Sequence, residues 1–174
     1  ADGADSIVRR LFGVECVDVG PTSVFAVFEF ASDYPLPNEM RVVLAEKTTN
    51  VLWPLPDGRV RWSFGMPDLS AGAGAREKSR YAVQTDQEHA WNLDEAFLRR
   101  LLAERAPWFD APPGEIVWST LVKFEQRLTS RFAGPRFGLC GDAAHLTGPI
   151  GVQSMNLGFV EAKDLVDQVH RVLH

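Results

Sequence analysis

Cysteine is scarce in this 174-residue chain, long apolar runs and an excess of basic charge are missing, and each shortage closes off a class of function. Two cysteines, Cys16 and Cys140, are too few for a disulfide framework. Cys140 also falls in a short apolar stretch, so both are expected to be free, core-type thiols of a protein in the reducing cytoplasm. No segment approaches the ~20 apolar residues that span a bilayer, and no signal-peptide pattern opens the chain. Lys and Arg number 18 against 23 Asp and Glu, a net charge of -5, which argues against broad binding to nucleic acid or a membrane surface. Histidine and cysteine are scattered without zinc-ligand spacing, so no metal site is expected, and no G-x-S-x-G nucleophile turn occurs. A G-x-G-x-x-G turn is missing too. Gly72-Ala73-Gly74 is followed by Glu77 where the third glycine belongs, and no strand runs into it, so it reads as a loop. What remains is 45% hydrophobic and 24% charged, an ordinary globular composition with enough chain for a core.

The pattern along the chain is that of an α+β protein. Residues 4–12 carry Ile7, Val8 and Leu11 at helical spacing. From Val14 to Phe64 the signals are strands. Val24, Ala26, Phe28 and Phe30 alternate with Phe25, Val27 and Glu29, which predicts a central strand apolar on nearly both faces. Arg41–Glu46 and Asn50–Leu55 form a further pair, and Asp57-Gly58 turns the chain into Arg59–Phe64. There Val60, Trp62 and Phe64 share one face, and Arg59, Arg61 and Ser63 form a solvated one. Residues 66–90, with a lone His89, read as a loop or crossover. Asn92, with Glu95 three residues on, is the expected cap of a helix carrying Phe97, Leu98, Leu101 and Leu102 and ended by Pro107. A long strand over 115–128 returns to a mostly antiparallel sheet. A last helix over 156–172 has Leu157, Val160, Leu165, Val169 and Val172 as its apolar side.

The most informative stretch is Arg136 to Gly158, RFGLCGDAAHLTGPIGVQSMNLG. Phe137, Leu139 and Cys140 read as a short buried strand stopping at Gly141-Asp142. Then come His145, a loop with Gly148, Pro149 and Gly151, and a helix opened by Asn156. Ligands are held at strand ends of this kind. A carboxylate there accepts hydrogen bonds from sugar-like hydroxyls, and glycines let a flat ring approach the main chain. Asp142 can equally cap the turn that follows it. His145 has the side chain of a general base, since histidine titrates near neutrality.

GDAAHLTGPIGVQSMNLGFVEA resembles the second flavin-binding motif of the class A FAD-dependent monooxygenases, the aromatic hydroxylase family. Gly141, Asp142, Ala143, Ala144, His145, Pro149, Asn156, Gly158 and Ala162 match. Ser154 stands where the family usually has glycine, and Glu161 where it has Asp. The opening ADGADSIVRRLFG resembles the family's D-G motif at Asp2, Gly3, Ser6, Val8 and Arg9.

The resemblance implies three parts. Residues 1–13 end a D-G segment, 14–132 form a sheet-based substrate domain, and 133–174 form a strand-loop-helix of a flavin-binding domain. It implies FAD as cofactor and NAD(P)H as cosubstrate, with Asp2, Gly3, Arg9, Gly141, Asp142, Pro149, Gly151, Ser154, Met155 and Asn156 as cofactor-binding residues. Arg9 is expected near cofactor or nicotinamide phosphates, and the alternative is a solvated arginine. Serine at 154 is expected to crowd a position where glycine would allow positive φ.

Trp53, Trp62 and Phe64 are candidates to line the small-molecule substrate pocket, or else ordinary core. No catalytic acid, base or nucleophile is implied, because the flavin carries the oxygen-transfer chemistry and His145 packs. The family's nucleotide-binding unit is expected to precede Ala1, so the chain alone is expected to be inactive and to need that partner. A related flavoprotein reductase or halogenase, or a binding module that has lost flavin, is the alternative.

Overall fold

The computed structural model describes residues 2–45, 48–67, 92–148 and 154–173. In order, the chain forms α1 (Ile7–Leu11), β1 (Cys16–Ala31), β2 (Arg41–Leu44), β3 (Thr49–Leu55) and β4 (Arg59–Gly65). Then follow α2 (Glu95–Arg105), β5 (Ile116–Thr129), β6 (Ala133–Gly134), β7 (Phe137–Gly138), a single 3-10 turn (Gly141–Ala143), β8 (His145–Leu146) and α3 (Ser154–Leu173). The main sheet has the strand order β2-β3-β4-β1-β5-β8, and every registered pair in it is antiparallel. The expected α+β class and mostly antiparallel sheet are what the chain adopts.

Two compact units emerge, one of residues 1–22 and 124–174 and the other of residues 23–123. Their boundaries fall inside β1 and β5, two unbroken strands that carry the chain from one unit into the other. The loop expected over 66–90, with Gly72 and His89, lies almost wholly outside the described residues.

In the unit of residues 23–123 the alternation works as the sequence pattern demands. The register pairs Phe28 with Trp62, Phe30 with Val60 and Leu52 with Trp62, so these side chains share one face. Phe97, Leu98, Leu101 and Leu102 of α2 join the same core cluster. Asp94, not Asn92, caps that helix: its carboxylate accepts from Phe97 N at 2.8 Å, while the Asn92 amide donates to Asp94 at 2.6 Å. Two residues competed for one role, and the one that reaches the third N–H of the helix took it. At the other end of α2, Arg105 donates to the Gly65 carbonyl at 2.6 Å, fastening the helix to the sheet by a charged hydrogen bond as well as by packing.

The opposite face carries Glu29, directly across from Arg61, which in turn lies across from Trp53. Glu29 is buried and bridges Arg59 at 2.8 Å and Arg61 at 2.9 Å. The arginine face expected to be merely solvated is therefore half engaged. One carboxylate cannot be left unpaired so deep, and two guanidiniums supply it.

In the other unit, Val14, Leu139, Ala143 and Ala144 make a small core with Val8 and Phe137 against it. Phe137, Leu139 and Cys140 were expected as one strand. Only Phe137–Gly138 is strand, paired back to Ala133–Gly134, although Leu139 and Cys140 are buried. Periodicity registered the burial and could not see the tight β6-β7 hairpin. Helix α1 is shorter than expected and leaves Ile7 and Leu11 exposed. Helix α3 has no buried residue, so its expected apolar side, with Leu157, Val160, Val169 and Val172, is largely exposed.

Candidate flavin site

The site is assembled within the unit of residues 1–22 and 124–174. Gly141 adopts φ +56, a conformation that would cost another residue on the order of 1–3 kcal/mol, and this reversal turns the chain sharply into Asp142. The turn is held from two sides. From α1, the Arg9 guanidinium donates to the Ala143 carbonyl at 2.9 Å and also to the Ala4 carbonyl. From α3, Glu161 accepts from Gly141 N at 2.7 Å with one oxygen, and its other oxygen lies 2.7 Å from His145 Nε2. Facing a carboxylate, Nε2 is the donor. Helix and turn come close at two glycines: a Cβ built on Gly158 would already touch Gly141 Cα at 3.5 Å.

Each expected site residue has a definite place. Asp2 folds over the N-terminus of α1 and accepts from Ile7 N at 2.7 Å and Val8 N at 3.2 Å. The Ser6 hydroxyl, first, and the N–H groups of Val8 and Ile7 hold its carboxyl down to about 2. Gly3, at φ +78, makes the turn that allows this return. Asp2 and Gly3 thus shape a helix start.

Arg9 is neither solvated nor left to meet a phosphate with its whole guanidinium. It is 8% exposed, and two of its donor groups are committed to main-chain carbonyls, because buried carbonyls at a bend must be satisfied. Asp142 is half-buried beside the Gly141 bend. Ser154, Met155 and Asn156 form the exposed first turn of α3. Ser154 is helical and is not among the positive-φ residues, so serine meets no backbone strain there. Pro149 and Gly151 lie outside the described residues.

The three aromatic candidates are not brought together. Trp62 and Phe64 are 0% exposed and stack with ring centroids 5.1 Å apart in the core, whereas Trp53 projects from the other face. Strand alternation forbids a single pocket for all three, since Trp62 is even and Trp53 odd in a shared register. On Trp53's face Arg61 also lies over the Trp118 ring at 5.8 Å. Glu29, Trp118 and Glu161 escaped the sequence reading as site-shaping residues. Glu29 had a signal, being the one acid in the apolar stretch 24–31, opposite an arginine-bearing strand; Glu161 had another, sitting three residues after Gly158 on the same helix face.

A positive-φ glycine stands next to a carboxylate in this turn, and the exposed start of a 20-residue helix follows later in the chain. The family model described as "FAD binding domain" matches residues 1–174, and the chain belongs to that family. It is 28% identical over 166 residues to a flavin-dependent monooxygenase of Mycobacteroides abscessus, covering 95% of this chain and 32% of that protein.

Its fold is like that of aklavinone-11 hydroxylase in complex with FAD and aklavinone, with TM-score 0.65, 23% identity, and 99% of this chain against 30% of that one. It is also like that of the flavin-dependent halogenase CmlS, with TM-score 0.61, 23% identity, and 91% against 27%. The chain thus spans about a third of the length of these relatives. Among the described residues no helix is long and apolar enough to cross a membrane, and no cluster of metal-ligating side chains is found.

Proposed function

We propose that this chain is part of an FAD-dependent monooxygenase that inserts one oxygen atom from O2 into an aromatic or other electron-rich small molecule, using NAD(P)H. The observation that carries the reading is the Gly141-Asp142 turn, fixed from one side by Arg9 and from the other by Glu161. Asp142 accepts from ribityl hydroxyls. The N–H groups of Ser154, Met155 and Asn156 face the cofactor's polar atoms, with Pro149 and Gly151 preceding them in sequence. Asp2, Gly3 and Arg9 act by holding α1 and the turn in place.

Bound FAD supplies the redox chemistry, in which substrate, O2, NAD(P)H and a proton give hydroxylated substrate, water and NAD(P)+. The protein's share is to bind, orient and exclude water. On the substrate side, Trp53 offers a half-exposed indole beside Arg61, a surface suited to a flat electron-rich ring, and Trp62 and Phe64 support it from the core. The exposed apolar residues of α3, with Ile7 and Leu11, support a further unit of the same protein packing there, the nucleotide-binding unit that a complete enzyme needs. The chain alone is then inactive. The two free thiols suit a cytoplasmic protein.

The decisive measurement is titration of the full-length apo-protein with FAD. Asp142→Ala is expected to weaken binding by about 1.5–3 kcal/mol, the value of a charge-assisted hydrogen bond, with little change in apo-protein stability. Equal affinities would leave Asp142 as a turn cap. The likeness in fold to CmlS favours a halogenase as the second reading. Halide-dependent product, in place of hydroxylated product, would select it.

A further inference from the structure

We propose that Glu161 is the positioning residue of the flavin site, acting through Asp142 by locking the turn that aims it; this rests on the flavin reading of that turn. Glu161 lies one helical turn beyond Gly158, on the face of α3 that passes closest to Gly141. Its two oxygens do two different things. One takes the main-chain N–H of Gly141, the residue whose left-handed φ sets the direction of the next side chain, Asp142. The other takes Nε2 of His145, which lies just past the turn and is 7% exposed.

The other His145 nitrogen, Nδ1, is buried without a partner among the described residues, so Glu161 is the one anchor this imidazole has there. The carboxylate therefore spans the turn from its first residue to His145, two residues past its end. Arg9 holds the Ala143 carbonyl, and the Gly141 carbonyl accepts from Ala144 N at 2.8 Å, so Glu161 is the side chain that takes the Gly141 N–H. Neither atom of Glu161 needs to meet the cofactor. Its effect on flavin is transmitted through where Asp142 points.

A glutamine at 161 keeps the shape but has one carbonyl oxygen for two donors. With its oxygen on Gly141 N–H, its NH2 meets Nε2, and the imidazole must move its proton to Nδ1, which has no acceptor among the described residues. An aspartate keeps both oxygens on a stem shorter by one methylene, so it reaches one donor and not both.

The test is FAD titration of the full-length apo-protein in a double-mutant cycle. Glu161→Gln is expected to weaken FAD at least about tenfold in the wild-type background, but less than about twofold in the Asp142→Ala background, because a residue that acts through Asp142 has nothing left to position. Glu161→Asp is expected to fall between, and it carries the same cycle if Glu161→Gln does not melt cooperatively. Equal losses in both backgrounds, or wild-type affinity for Glu161→Gln, overturn the proposal. Failure of the wild-type protein itself to bind FAD overturns the flavin reading and this inference with it.

Discussion

Two helices carry opposite lessons. Helix α2, eleven residues long, buries Phe97, Leu98, Leu101 and Leu102 in a sheet-backed core. Helix α3, twenty residues long, buries none, and Val172 is 84% exposed. Both have an apolar side at helical spacing. What differs is how each is held: α2 by packed aromatic and aliphatic area, α3 by the Glu161 carboxylate, by the close pass of Gly158 at Gly141, and by Leu165, whose Cδ1 would stand 2.5 Å from a Cβ added at Gly138. A periodic stripe shows that a face wants cover, but not what provides it. The unit of residues 23–123 is stabilised by area, whereas the site-bearing unit depends on a few directional bonds.

The comparison breaks most readily at Trp62. It stacks on Phe64 at a 6° interplanar angle and meets Phe109 edge-on at 5.7 Å. Trp62→Ala should destabilise by about 3–5 kcal/mol, as large-to-small changes of buried aromatics do. Hydrogen exchange should show the loss in β1, β3 and β4 amides and far less at Gly141 and His145. Uniform loss in both units would mean that they unfold as one, and the contrast drawn above would be wrong. Trp62 Nε1 is buried with no acceptor among the described residues, so Trp62→Phe removes that penalty and should cost distinctly less than the lost area implies.

Next in size is Arg9. Arg9→Met keeps an apolar stem and withdraws the donors, leaving the Ala143 carbonyl without its 2.9 Å partner. The expected cost is about 1–3 kcal/mol, the penalty of an unsatisfied buried polar group, and it should fall on residues 141–145. Amide exchange confined to that turn, with the sheet unchanged, is the expected pattern. No change there would return Arg9 to the role of a solvated or phosphate-facing arginine.

How much of this was legible beforehand follows the same division. The sheet was readable because strand alternation is local: Val60, Trp62 and Phe64 had to share a face whatever lay beside them. Assigning Trp62, Phe64 and Trp53 to one pocket failed on that same rule, applied across β3 and β4, since register between strands is not written in either strand alone. The two motifs pointed to the Gly141 turn, but the contacts its residues make were not readable from them. Arg9 and Ala143 are 134 positions apart, and His145 and Glu161 are 16 apart on different elements. Their pairing is made by the tertiary fold. Asp94 displaced Asn92 as cap for a smaller reason, because both are good caps and only the chain's path decides between them.

The smallest expected effect concerns Asp2, which accepts from the first N–H groups of α1 beside the Ser6 cap, and it tests whether directional bonds shape even the exposed edge of the site-bearing unit. Its carboxyl is lowered from 3.8 to about 2, the Ser6 hydroxyl being the largest cause and the Val8 and Ile7 N–H groups adding to it. A depressed folded-state value means that the ionised form is favoured by folding. The stabilisation of α1 is therefore fully present above 3.8 and is lost as pH falls through about 2. Between those values the folded chain stays ionised where an unfolded one takes up a proton, and that difference is the source of the pH dependence. Because Asp2 is exposed, solvent screening keeps the effect small. An NMR titration of the Asp2 carboxyl should give a midpoint well below 3.8, and Ser6→Ala should move it upward by removing the strongest of the three bonds. An ordinary midpoint in the wild type would show that Asp2 does not hold the start of α1, and the short helix carrying Arg9 would then depend on its packing against the small core around Val14 and Leu139.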